Sequence, residues 1–483
     1  MGSNSKALVW LRNDLRLLDN DAIYGAASNH ERLNFVVVRT PDTWRAHDWS
    51  AAKWSLYHRQ LQCLANDLAE RGHSLHVHTV ASFKDSVDYI VAYATKQDVQ
   101  AIYINREYPL HERQRDHRLC VNAEEVGIQV VQYDSNLLVA PERIQSGTGS
   151  FYRMFTPFFR AWKEELVTAG LPGPYQRSVI PDGSDNSAPT IDVRVPDDIP
   201  GQCRHTDDWL VGEAQIRQKV SVYVREKADH YHHLRDLPSE VGTSQLSPYW
   251  EIGAISPRIA AHFLQKQAPE FPSGLSEGMH TWLSELAWRE FYQHLMFHVP
   301  RLSRHKPFQE ETDNYPWRKD EKAFQAWCEG QTGYPIVDAG MRQLAKTGWM
   351  HNRVRMIVAN FLTKDLHMDW RLGEQWFMRN LIDGSFPANN GGWQWSASTG
   401  TDAVPYFRVF NPTRQSEKVD PDGVYIRRWL PELKDVPIKH IHEPHQWLRQ
   451  YDPDNSYPAP MVNHKEARER FIANFKQVKH GNN

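Results

Sequence analysis

Between residue 6 and about residue 135, short apolar runs alternate with stretches of helical periodicity. The runs are Ala7–Leu11, Leu33–Val38, Leu75–His78, Ala101–Ile104 and Ile128–Val131. Each is rich in β-branched or aromatic side chains and is short enough for a strand. Between them, Ala51 to Arg71 sets Leu61, Leu64 and Leu68 three and four apart, the spacing of one face of a helix. Such alternation predicts a parallel sheet wrapped by helices. From Gly170 to Gly201 the chain turns rich in Pro, Gly, Ser and Asp, the composition of a linker. From Asp208 onward strand-like runs nearly vanish and helical periodicity takes over. The expected organisation is a Rossmann-like α/β domain over residues 1–135, a linker over 136–207 and an all-α domain over 208–483.

Length and charge narrow the partners. The 483 residues suit two large domains or three of ordinary size. A net charge of −3 advertises no global basic field. No apolar run approaches the roughly 18 residues of a membrane span. The start, Met1 to Lys6, lacks an apolar signal core, and Lys6 stands where a myristoylation motif wants Ser or Thr. Cys63, Cys120, Cys203 and Cys328 are scattered without a CxxC, so a reducing cytoplasm is expected. No GxGxxG follows the first run. The turn there, Arg12-Asn13-Asp14-Leu15-Arg16, offers no glycine cradle for a pyrophosphate, and a conventional NAD site is disfavoured. The histidine clusters at 230–233 and 440–442 lack HExxH spacing, so no metal is expected.

Tryptophan is unevenly placed. Of 18, five fall in residues 1–200 and nine between Trp282 and Trp395, and that second region also carries the candidate chemistry. On a helical wheel Trp282, Glu285, Arg289 and Tyr292 fall at about 0°, 300°, 340° and 280°, while Leu283, Ala287 and Phe291 fall at about 100–180°. One face packs; the other gathers an indole, a carboxylate and a guanidinium, with Trp288 flanking it. In Gly348–Met356, Arg353 and Arg355 are two apart and point in different directions. They imply two separate anions, one a phosphate or reduced ligand and the other a carboxylate such as Asp383. In Asp383–Trp395, Gly384, Gly391 and Gly392 permit close approach to a flat ligand, and Asn389 offers a donor and an acceptor. Trp393 and Trp395 are expected to face different ways. Gly242–Pro248 presents hydroxyls and amides ahead of a helix, a setting for a phosphate or for simple capping.

In this order, these clusters resemble the photolyase/cryptochrome family of blue-light flavoproteins. The opening Trp10-Leu11-Arg12-Asn13-Asp14-Leu15-Arg16-Leu17-Leu18-Asp19-Asn20 is similar to that family's N-terminal signature, and the likeness runs to about Phe471. Within the family the chain looks like a class I cyclobutane pyrimidine dimer photolyase of the bacterial folate-antenna type. The resemblance implies light-driven repair: excited FADH⁻ gives an electron to a flipped-out dimer, the cyclobutane ring splits and the electron returns. It implies FAD held by Tyr231, Thr243, Ser244, Gln245, Leu246, Ser247, Trp282, Glu285, Arg289, Arg355, Asp383, Gly384, Ser385 and Asn389. Gln245 stands where the family usually has Arg, and Ser385 where close relatives have Asp. Asn389 would sit beside flavin N5.

The resemblance further implies that Glu285 and Asn352 hydrogen-bond the lesion and that Arg353 stabilises its radical anion. Trp288 and Trp395 would wall the dimer pocket, and Arg235 and Gln415 would contact DNA. Trp317, Trp370 and Trp393 would relay an electron during photoreduction. (6-4) photolyases characteristically carry a histidine pair where this chain has Asn352-Arg353, which argues against that activity. Glu112 matches an acidic antenna contact, with His111 in place of the usual Asn. The antenna implied is 5,10-methenyltetrahydrofolate, with a deazaflavin as the alternative. The partner is UV-damaged DNA. A cytoplasmic, nucleoid-associated monomer without an obligate protein partner is expected.

Overall fold

The computed structural model describes residues 5–147, 149–171, 180, 183, 185 and 187–480. The opening Met1–Asn4 and much of the linker read from Gly170 to Gly201 lie outside them. The five apolar runs form β1 (Lys6–Leu11), β2 (Arg32–Arg39), β3 (Leu75–Thr79), β4 (Ala101–Asn105) and β5 (Gln129–Tyr133). All pairings are parallel, in the order β3-β2-β1-β4-β5, with Ala7 opposite both Leu33 and Ala101. A strand covered on both faces reads as a continuous apolar run, and the central β1 and β4 are buried almost throughout. The edge strands β3 and β5 carry His76, His78, Gln129 and Gln132 and are only partly buried. The expected helix from Ala51 runs to Ala69, with the Ser50 hydroxyl accepting from the Lys53 amide at its N-cap.

Beyond Tyr133 the regular elements of the described residues are all helices, joined by loops, apart from one isolated bridge, Arg318 to Met368. The α/β-then-helical order expected from the sequence is the observed one. The chain gathers into two compact units: Met1–Ile199 with Arg204–His232 and Ser244–Ser303, and Pro200–Cys203 with His233–Thr243 and Arg304–Asn483. The last strand ends at Tyr133, so the segment before residue 208 already belongs to the strand-free part of the chain. Among the described residues no helix is long and apolar enough to cross a membrane.

In the first unit the Arg12–Arg16 turn is filled by charge where a dinucleotide fold would have glycine. Asp14 accepts from the Arg12 amide and from Asn105 Nδ2, and Asn105 also donates to Asn20, the cap of helix Asp21–Asn29. Arg16 is fully buried and donates to the Ser135 carbonyl and hydroxyl, Asn136 and the Gly253 carbonyl. Arg258 reaches Asp19, Asp21 and Ser135. Glu213 accepts from the Leu17 and Leu18 amides, and burial pushes its carboxyl up to about 7. Buried polar groups are tolerated when their partners are supplied, and here segments far apart in sequence supply them.

In the second unit Trp327, Trp370, Trp393 and Tyr425 are among the largest fully buried side chains of one hydrophobic cluster. Most indoles of the Trp-rich region therefore do serve packing.

Gly253 has φ +65°, and a Cβ on it would lie 2.0 Å from the Asn13 carbonyl oxygen. Gly253→Ala should lower stability by about 2–4 kcal/mol through left-handed strain and overlap. Thermal unfolding checks this, and an unchanged midpoint would show that the turn is not rigidly held.

Candidate functional site

In the first unit the candidate side chains sit on the helix Glu277–His298, capped by Ser276. Trp282 is buried against Tyr223, ring centroids 5.2 Å apart, with Trp250 at 6.5 Å. The stripe expected to face away from the core is thus itself covered at Trp282. Glu285 lies near Tyr223, whose phenol is pushed up by burial and by that carboxylate. Arg289 donates to the Asn136 carbonyl at 2.9 Å. Trp288 is half-buried and stacked on Phe155 at 3.7 Å and 7°, which fixes the plane of its ring. Tyr231 is buried. Gln245 adopts φ +51°, so it is held in a left-handed turn where a non-glycine residue is uncommon. The helix after it is only Ser247–Glu251, with Leu246 at its N-cap.

Sequence reasoning missed Glu290. Fully buried, it accepts from the Leu138 and Val139 amides and from Trp162 Nε1, and burial pushes it up to about 7. At about 80° on the wheel it lies on the packing face beside Leu283, and an acid there was the available signal.

In the second unit Asp383, the carboxylate suggested for one of the two arginines, meets Arg355: Arg355 Nη2 lies 3.0 and 2.9 Å from the two Asp383 oxygens, and Nε donates to the Met350 carbonyl. Arg353 donates through Nε and Nη2 to Asp236 Oδ1, at 3.0 and 2.7 Å, so its immediate partner is a protein carboxylate 117 residues away in sequence. Asn352, first residue of the helix Asn352–Asn360, is exposed. His351 caps that helix, its Nδ1 accepting from the Arg353 amide, and burial pushes its imidazole down to about 4.

The stretch from Phe386 is helical to Ala397. Gly391 and Gly392 lie inside it, and a Cβ on Gly392 would meet nothing within 4 Å. Glu374, also missed from sequence, holds this helix. Asn390 Nδ2 and His305 Nδ1 bond its carboxylate, Asn389 Nδ2 donates to its carbonyl at 2.9 Å, and Gln394 bonds Asn390. A carbonyl oxygen only accepts, so the Asn389 amide nitrogen faces Glu374 and its Oδ1 points away. Ser385 occupies the N-cap without a side-chain cap bond, next to buried Gly384.

Trp393 and Trp395 do diverge, the first buried, the second half-buried beside Phe410 at 6.4 Å. Trp370 and Trp393 belong to one cluster of buried residues, and Trp317, partly buried, packs against it. Trp370 begins the helix Trp370–Asn380, and Gly373 one turn on packs directly under the Trp393 ring, where a Cβ would lie 2.1 Å from Cη2. Arg235 and Gln415 are half-buried, Gln415 on the helix Pro412–Val419, and Thr243 is likewise half-buried.

At the carboxyl ends of β1, β2 and β4 a pocket is lined by Trp10, Arg12, Trp44, His47, Glu107 and Glu112, among others. Glu112 Oε2 is buried there without a hydrogen-bond partner, and burial followed by Glu107 pushes the carboxyl up to about 7. His111 bonds His47 at 3.1 Å.

A family model described as DNA photolyase matches residues 7–175, and one described as the FAD binding domain of DNA photolyase matches residues 282–477. The chain is 42% identical over 481 residues to the deoxyribodipyrimidine photo-lyase of Escherichia coli (strain K12), covering 98% of this chain and 99% of that one. It is similar to the structure of a bacterial class III photolyase from Agrobacterium tumefaciens, with TM-score 0.85, 33% identity and 99% and 98% coverage of the two chains. It is also similar to an archaeal photolyase from Sulfolobus tokodaii solved with two FAD molecules, with TM-score 0.80, 31% identity and 98% and 100% coverage.

Because His351 is neutral in the folded chain while an unfolded histidine protonates near 6.5, the unfolded state binds more protons between pH 6.5 and about 4. Stability should therefore fall as pH drops through that window. Asn also serves as an N-cap, so His351→Asn should remove on the order of 2 kcal/mol of the acid loss. Urea unfolding at pH 7 and pH 4.5 tests this; equal pH dependence in both proteins would contradict it.

Proposed function

The chain belongs to the DNA photolyase family and is a light-driven DNA repair lyase that splits cyclobutane pyrimidine dimers with FAD; we propose that Asn389, Arg353 and the row Trp317–Trp370–Trp393 are central to what its own residues contribute. When bound and reduced, FAD supplies the photoexcited electron for the reaction. The observation that carries the assignment is the orientation of Asn389, whose amide nitrogen is committed to Glu374 and whose Oδ1 is left to accept from a ring N–H. A neutral amide held this way favours a protonated ring nitrogen. The Arg355–Asp383 pair adds a fixed donor and acceptor set in the same unit.

Trp288 and Trp395 stack the two bases of the extruded lesion, each at about 1–3 kcal/mol. Phe155 behind Trp288 supports this, since a pre-oriented ring gives up little freedom on binding. Glu285 and Asn352 accept from and donate to the base edges, and a poorly stacked dimer is cheaper to extrude than a sound pair. Arg353 stands ready as a fixed cation near developing negative charge. Arg235 and Gln415 engage the strand. Trp317, less buried than its two partners, is the outer end of an electron path through Trp370 to Trp393. The electron moves inward, and the oxidised indole is left nearest solvent.

Tyr231, Thr243 and Ser244–Ser247, together with Trp282, Arg289, Gly384 and Ser385, complete the cofactor contacts. The antenna is 5,10-methenyltetrahydrofolate, with a deazaflavin as the alternative. The unpartnered Glu112 oxygen supports a ring that presents N–H donors, with His111 at its rim.

The decisive experiment is the absorption spectrum of the purified protein, followed by blue-light incubation of reduced enzyme with irradiated oligothymidylate. A flavin spectrum and loss of dimers are expected; a colourless protein that FAD does not reconstitute would overturn the reading. Trp288→Ala should weaken binding to dimer-containing DNA about tenfold or more and binding to undamaged DNA far less, as read by fluorescence anisotropy. Equal losses would remove Trp288 from the pocket. Trp393→Phe should abolish photoreduction of oxidised flavin yet leave repair by chemically reduced enzyme within about twofold of the parent. Retained photoreduction would break the relay.

A further inference from the structure

Asp236 has no role in the reading above, yet it stands between two arginines that do. Arg353 gives it two of its three guanidinium nitrogens, both to Oδ1, and Arg235 Nε lies 3.9 Å from the same oxygen. The side chains of Arg353 and Asp236 are 22% and 36% exposed, so this ion pair is open to solvent at the surface. An acid at that surface opposes a polyanion, and its presence calls for a reason other than affinity.

The geometry supplies one. A free arginine samples many rotamers and pairs readily with any phosphate. An arginine held at Nε and Nη2 presents a single edge, Nη1, in a fixed direction. The Arg353 backbone is fixed as well, because its amide donates to His351 Nδ1 at the helix cap. Base and tip of the side chain are thus both anchored.

We infer that Asp236 is a positioning residue that aims the Arg353 guanidinium at the extruded lesion and withholds it from undamaged backbone. The inference rests on Arg353 being a lesion contact. Its effect is specificity gained by an opposing charge as well as by an attractive contact. Removing the acid frees a cation for general phosphate binding and blunts discrimination.

The test uses FAD-loaded enzyme and two duplexes of one sequence, with and without a single thymine dimer. Asp236→Asn should raise affinity for the undamaged duplex about three- to tenfold and steepen its log K against log[salt] slope by up to about 1. It should lower the damaged-to-undamaged affinity ratio at least about threefold and reduce repair per absorbed photon. Asp236→Glu should restore the ratio, which a merely structural loss would not. In an Arg353→Gln background, Asp236→Asn should leave the ratio unchanged. An unaltered ratio in Asp236→Asn, or the same change with and without Arg353, overturns the proposal. If Arg353→Gln alone leaves dimer binding and repair intact, Arg353 is no lesion contact and the proposal falls with that reading, a distinct result. Should Asp236→Asn not retain FAD, Arg353→Lys, a point charge that cannot make the two-nitrogen contact, must show the same loss of discrimination, and an unchanged ratio there overturns it equally.

Discussion

A guanidinium buried with its donors committed is the constraint on which the first unit turns. Arg16 ties the end of β1 to Ser135 and Asn136 after β5 and to the Gly253 carbonyl, while Arg258 and Glu213 close the same knot from two further helices. Burial opposes the charge on Arg16, and nearby Asp19 and Asp14 offset part of that cost. Removing one member would strand several desolvated groups, so the knot is cooperative. It also delivers Asn136 to Arg289, which carries the constraint into the helix Glu277–His298 and its candidate site residues.

The second unit solves its positioning problem with a carboxylate. Glu374, 1% exposed, uses both side-chain oxygens and its backbone carbonyl to orient His305, Asn390 and Asn389. A helix containing an adjacent glycine pair has poor intrinsic propensity. Phe386–Ala397 is helical because tertiary bonds and the buried Trp393 ring hold it there.

What the sequence made legible follows from locality. The five strands were readable because a doubly covered strand is a continuous apolar run, and even the edge positions of β3 and β5 show in their polar residues. That Arg353 and Arg355 serve separate partners, one of them a carboxylate such as Asp383, was readable from their different directions; that it is Arg355 that takes Asp383 was not. What was hidden depends on long-range partners. Asp236, Glu374 and Glu290 are ordinary acids in ordinary helical or turn contexts until folding brings a guanidinium, an amide or an indole N–H against them. The helix over the glycine pair was hidden for the same reason: local propensity disfavours it, and contacts with Glu374 decide for it. The family signature near Trp10 was recognisable as a string, but its physical sense, a charged plug replacing a glycine cradle, emerges only with Asn105 and Gly253 in place.

Asn389, Trp393 and Trp395 ride on one rod of three turns, pinned at its middle to Glu374 and backed by Gly373. Their spacing is therefore set by helical pitch and not by independent loops. Axial slippage of a single residue would rotate all three by about 100° together. Whatever these three side chains contact is mechanically geared, and selection cannot adjust one of them along this rod without shifting the other two.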